Sequence, residues 1–175
     1  MLPLIHNRPR GFTLIELIMV IMVIGILAAT TVPLLVNSFR AFEANQTNLV
    51  TLSKLRYATE RIAREVREVR YVAGNYAIVM GANTLQFTKN DAAGTVVTIN
   101  GAAPPIVTLQ YSVPAMTATL TNQLAAAGLQ FLYFDINNVA TASTANVAYV
   151  DMSLTLTDPN SGAAAQRTRI ALRNR

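Results

Sequence analysis

Hydrophobic and polar positions divide the chain into three textures. From Phe12 to Leu35 almost every residue is apolar, with Glu16 the one charge and a few Thr and Gly between. At 1.5 Å rise per residue, a helix over this stretch is about 36 Å long, enough for a hydrocarbon core of roughly 30 Å. Residues 49–73 carry a second pattern. Leu52, Leu55, Thr59, Ile62, Val66, Val69 and Ala73 recur in steps of three and four, which predicts a stripe along a helix that must pack on something. Opposite them stand Lys54, Arg56, Glu60, Arg61, Arg64, Glu65, Arg67, Glu68 and Arg70, with Glu60 and Arg64 spaced as an i,i+4 pair. The helix is predicted to continue to about Tyr71, with "NSFRAFEANQTN" as its more polar middle.

After Gly74 the period shortens to two. Short runs rich in Val, Ile, Thr, Tyr and Phe alternate with Gly, Pro, Asn and Ala. Strands are predicted at 76–80, 84–88, 96–99, 107–111, 117–121, 129–135, 148–157 and 168–173. In "VDMSLTLTD", Val150, Met152, Leu154 and Leu156 face one way and Asp151, Ser153, Thr155 and Thr157 the other. The segments "DINNVATASTAN" and "DPNSGAAAQ" read as loops. Strands joined by turns make an antiparallel sheet, and the helical stripe would cover it, giving an α+β fold with a long N-terminal helix on a C-terminal antiparallel β domain.

Composition narrows the functional classes. The chain has 175 residues, a formal net charge of +5 and no cysteine, which removes disulfide frameworks and thiol chemistry. The one histidine, His6, precedes the apolar run, and Asp91, Asp135, Asp151 and Asp158 are scattered in sequence. No phosphate loop, zinc-protease helix or Gly-x-Ser-x-Gly turn occurs. These features argue against an enzyme, and neither a cofactor nor a metal is expected. Asp135-x-Asn137-Asn138 reads as a turn rather than a cation site, because calcium needs six or more oxygens. The basic helix face admits nucleic acid, but its interleaved glutamates favour a solvated or subunit-contacting surface.

The apolar run itself carries the sharpest signal. Arg8 and Arg10 precede it and the next basic residue is Arg40, so the short N-terminus would stay cytoplasmic and the remainder be exported. A secretory signal has a shorter apolar region and a small-residue cleavage site behind it. Processing before the run, at Gly11-Phe12, fits better; taken alone, Gly11 reads first as a flexible leader hinge, and second as a place where extended backbone can approach a protease's catalytic groups. Residues 10–17, "RGFTLIEL", together with "GILAA" at 25–29 and Pro33, resemble the prepilin signature of type IV pilins and type II secretion pseudopilins. The resemblance implies cleavage between Gly11 and Phe12 by a prepilin peptidase, N-methylation of Phe12, insertion in the inner membrane and extraction into a helical filament.

Glu16 then has a role to fill. A charge near a bilayer centre costs about 2.5–3.5 kcal/mol, and at about 6 Å depth the cost is smaller. Two readings fit: snorkelling to the headgroups, or an ion pair with the amine that cleavage creates on Phe12, which in the resembling family lies on the adjacent subunit. Pro33 and Gly25 should weaken the helix, as a kink or local melting near residues 29–33. Thr13 reads as a small polar residue tolerated in the first turn. The expected organisation is a leader at 1–11, a transmembrane and filament-core helix at 12–35, an amphipathic continuation at 36–73 and an exported β-rich domain at 74–175.

Looser likenesses in "RYATERIAREVREVR", "GLQFLYFD" and "RIALRNR" resemble the minor pilins of the J-type pseudopilin and MSHA-biogenesis groups. Absence of cysteine points to a minor subunit, and absence of tryptophan tilts the resemblance from the secretion group towards a pilus. The implied partners are other pilin or pseudopilin subunits, the peptidase and N-methyltransferase, an inner-membrane assembly platform and the lipid bilayer. The implied location is a single-pass inner-membrane protein with its domain in the periplasm, and afterwards the filament.

Overall fold

A computed structural model describes residues 11–158 and 162–172. The chain divides into two compact units, Met1–Glu43 and Ala44–Arg175, and one helix, α1 (Leu14–Val66), contributes to both. In the first unit every described residue from 11 to 43 is exposed. The helix is long and apolar enough to cross a membrane, and no residue of its most apolar stretch is buried.

The second unit holds the rest of α1 and ten strands. β1 (Tyr71–Val72) and β2 (Asn75–Tyr76) form a small antiparallel hairpin. Its two turn residues, Ala73 and Gly74, have φ of 50° and 85°, the left-handed backbone that two-residue hairpins require. β3 (Ile78–Met80), β4 (Thr84–Thr88), β5 (Val96–Asn100), β6 (Val107–Ser112) and β7 (Ala115–Thr121) follow one another as an antiparallel five-stranded meander. β8 (Leu124–Phe134), β9 (Tyr149–Asp158) and β10 (Gly162–Ala171) make a three-stranded antiparallel sheet with β9 in the middle. The α+β expectation holds: one long helix, then antiparallel sheets.

A single apolar cluster joins helix and sheets. Leu55, Ala58, Ile62 and Val66 of α1 are buried with Leu85, Phe87, Ile99 and Leu109 of the meander and Leu129, Met152, Leu154, Leu156 and Ile170 of the second sheet. On β9 the expected alternation holds, with Val150, Met152, Leu154 and Leu156 fully buried. β8 carries a bulge between Leu124 and Leu129, with Ala127 at φ 53°. At Gly128 a Cβ would lie 2.5 Å from the Thr155 carbonyl oxygen, so the bulge needs glycine there. Phe87, 1% exposed, is among the largest fully buried side chains of the cluster. Phe87→Ala should destabilise the unit beginning at Ala44 by about 3–5 kcal/mol, read as a shift in its urea midpoint.

Several expectations are corrected. α1 ends at Val66 rather than near Tyr71, because the following backbone pairs with the meander. The Arg70 amide donates to the Thr88 carbonyl at 2.8 Å and the Asn90 amide to the Glu68 carbonyl at 2.7 Å. The buried stripe starts at Thr51, whereas Leu52 and Ala73 are exposed. Glu65, assigned by spacing to the polar face, is buried. The second half of the expected loop at 158–166 is strand, since the β9–β10 ladder runs unbroken from Ala171↔Tyr149 to Gly162↔Asp158. The expected strand at 76–80 is interrupted at Ala77, which separates β2 from β3.

Candidate functional site

The candidate site lies at the head of α1. Thr13 precedes the first helical residue, and its carbonyl accepts from the amides of Glu16 at 3.1 Å and Leu17 at 3.2 Å. The Thr13 hydroxyl also accepts from the Glu16 amide at 3.4 Å. Thr13 is therefore the N-cap, and Glu16, three residues on, occupies the acidic position of a Ser/Thr-x-x-Glu capping box. Sequence reasoning missed this role, although the spacing that signals it was present. A carboxylate in the first turn also complements the positive end of the helix dipole.

The other expected site residues lie along the same unit. Phe12 is 78% exposed. A Cβ added at Gly11 or at Gly25 would meet nothing within 4 Å, so no contact among the described residues demands glycine at either position. Among the described residues the Glu16 carboxylate has no ion-pair partner within the chain. α1 stays helical through Gly25 and Pro33, so local melting is not seen. Pro33 has no amide hydrogen for the Ala29 carbonyl. One turn before it, the Thr30 hydroxyl donates to the Ile26 and Leu27 carbonyls at 3.2 and 3.0 Å, and the Thr31 hydroxyl to Leu27 at 2.7 Å. His6, Arg8 and Arg10 lie outside the described residues.

The second unit contains two polar clusters that spacing did not reveal. Glu65 accepts from Tyr111 at 2.8 Å and pairs with Arg61 at 3.0 Å and Lys89 at 3.1 Å; Lys89 also reaches Glu68 at 2.7 Å. Burial works against the Lys89 ammonium, but its bonds to Glu68 and Glu65 outweigh that and its pKa rises. Tyr133 is pushed up to about 12 by burial, partly offset by its bond to the Gly81 backbone. On the outer face of the second sheet, Asp151 accepts from Arg169 at 2.6 and 3.0 Å and from Arg167 at 2.7 Å. Asp135 Oδ1 accepts from the amides of Asn137 and Val139, the turn that its sequence suggested. Among the described residues no group of three or more His, Cys, Asp or Glu is placed to hold a metal ion.

The Arg169 bond, and then that of Arg167, hold the Asp151 carboxyl below the usual carboxylate range against the effect of burial. A lowered folded pKa adds stability that is complete above the unfolded value near 4 and lost as pH falls through the folded one. Asp151→Asn should therefore lower stability by about 1–2 kcal/mol at pH 7. The difference from the parent should shrink as pH falls below about 4 and on through the lowered pKa of the folded carboxyl, in urea titrations across that range.

No curated protein matches the chain. The family profile of the prokaryotic N-terminal methylation motif matches residues 6–32, which takes in Gly11, Phe12, Glu16 and Gly25. With that motif at the head of an exposed, membrane-capable helix, the N-terminal segment of the chain is type IV prepilin-like.

Proposed function

We propose that the chain is a minor pilin or pseudopilin that works by assembling rather than by turning over a substrate. Its leader, residues 1–11, is removed between Gly11 and Phe12, and Phe12 is N-methylated. Residues 12–35 first anchor the precursor in the inner membrane as a single span and then pack into the filament core. The region at 36–73 continues the helix towards a periplasmic domain at 74–175. One observation carries the reading: through the methylation motif and for eleven residues beyond it, no residue from 11 to 43 is buried. An apolar surface of that extent needs lipid or sister helices around it. Pro33 and Gly25 supply a weakened stretch that lets the helix bend as it leaves the bilayer.

Absence of cysteine favours a minor subunit and absence of tryptophan an MSHA-like pilus, with the J-type subunit of a type II secretion system as the second reading. The implied partners are sister pilins, the peptidase with its methyltransferase activity and an inner-membrane platform. Intact-mass measurement of the chain from a host carrying the peptidase tests the core of the proposal. The expected product begins at Phe12 with one methyl group on its amine. A chain that still begins at Met1 in that host overturns it.

A further inference from the structure

The exposed edges of the two larger sheets are not equivalent. β3 offers only three residues. β7 pairs with β6 through an irregular register. The outer side of β8 is partly occupied, because the Phe131 amide donates to Ala82 and the Leu124 amide to Pro105. β10 is ten residues long, contains no proline and keeps an unshifted register throughout.

The phase of its ladder follows from one bond. The Leu172 amide donates to the carbonyl of Ala148, its opposite residue, at 2.9 Å. Bonded and non-bonded pairs alternate in an antiparallel ladder, so the even-numbered residues of β10 bond to β9. The amides and carbonyls of Ala163, Ala165, Arg167, Arg169 and Ala171 then point to the open side. Among the described residues nothing bonds to them there. Such a row is a template for another strand.

The side chains at this edge define the partner. Arg167 and Arg169 project on the outer face and share the carboxylate of Asp151, with Arg169 also donating to Asn138 and lying over Phe134 and Tyr149, so among the described residues the group carries one positive charge in excess. Both remain accessible, with side chains 64% and 44% exposed. A second β10 cannot balance them, since Gly162–Ala171 contains no acidic residue. We propose that the β10 edge receives an extended segment of a different protein subunit, pairing antiparallel, with carboxylates opposite Arg167 and Arg169. Cross-strand opposite charges stabilise such a pair, and the backbone bonds supply affinity. Pairing at this edge needs neither cleavage nor a membrane.

The test uses the full chain in detergent and three synthetic peptides of about nine residues, the length such an edge can pair. All alternate valine with polar residues; one has glutamate at its two central polar positions, one has lysine there, and one is the glutamate peptide with N-methylated edge-facing amides. Residue-resolved amide exchange at odd-numbered positions of β10 should slow about tenfold or more with the first peptide only. Ala165→Pro removes an outward amide and should abolish the effect while leaving exchange at Met152 and Leu154 of β9 unchanged. Protection by the N-methylated peptide overturns strand pairing, and equal protection by the lysine peptide overturns the charge requirement. No protection by any peptide overturns the proposal, and leaves the reading of the N-terminal segment standing because no step of the test involves it.

Discussion

Gly11→Val is expected to leave the leader attached. The intact mass should be that of the full precursor without a methyl group, and recovery in sheared filaments should fall about a hundredfold. The magnitude follows from positioning, since misplacing a scissile bond by about 1 Å costs on the order of a hundredfold in rate. The structure makes the experiment clean. A Cβ at residue 11 would meet nothing within 4 Å among the described residues, and residue 11 precedes the helix, so the substitution should leave both the helix and the β domain intact. A defect must then arise at the peptidase, which reads backbone that β-branching holds away from it. Normal trimming of the valine variant would mean that this glycine is only a leader hinge.

Loss of the acid in the first turn should have the second-largest effect. Glu16→Ala is expected to insert in the membrane normally yet to enter filaments about tenfold to a hundredfold less well, measured by the ratio of filament to membrane pools. A buried pair broken on one side costs about 3–5 kcal/mol, and the shallow depth of about 6 Å places the effect below that ceiling. The N-cap at Thr13 supplies a competing explanation that a second variant separates. Gln serves the capping box as well as Glu does, so Glu16→Gln keeps the helix start but not the charge. Failure of both variants assigns the defect to the missing ion pair with the freed amine. Rescue by glutamine reduces Glu16 to a capping residue and removes the proposed assembly contact.

How far the sequence foretells this molecule differs by region. The methylation motif was legible because its signals are local, a glycine before an apolar run and one acid a turn inside, whereas the cap that Thr13 forms there was not read. β4 appears with its expected ends, and β9 with its expected faces, because strict alternation survives wherever one face is buried. Long-range effects were not legible. Val66 ends the helix because backbone from Glu68 to Arg70 finds partners on Thr88 and Asn90, which outweighs helix propensity. Glu65 sat in a basic, exposed-looking run, and only folding brings Lys89 and Tyr111 to it. The start of β10 was hidden by alanines, which have weak strand preference and are held there by β9.

The Glu65 cluster governs how the later part of α1 can seat on the meander. Advancing a helix by one residue turns it through about 100°, which would swing this acid off Tyr111 and Lys89 and into the aliphatic layer around Ile62 and Val66. A greasy stripe alone tolerates such rolling, since one methyl group substitutes readily for another. A lone carboxylate among three donors does not, so it acts as a detent with a single permitted azimuth.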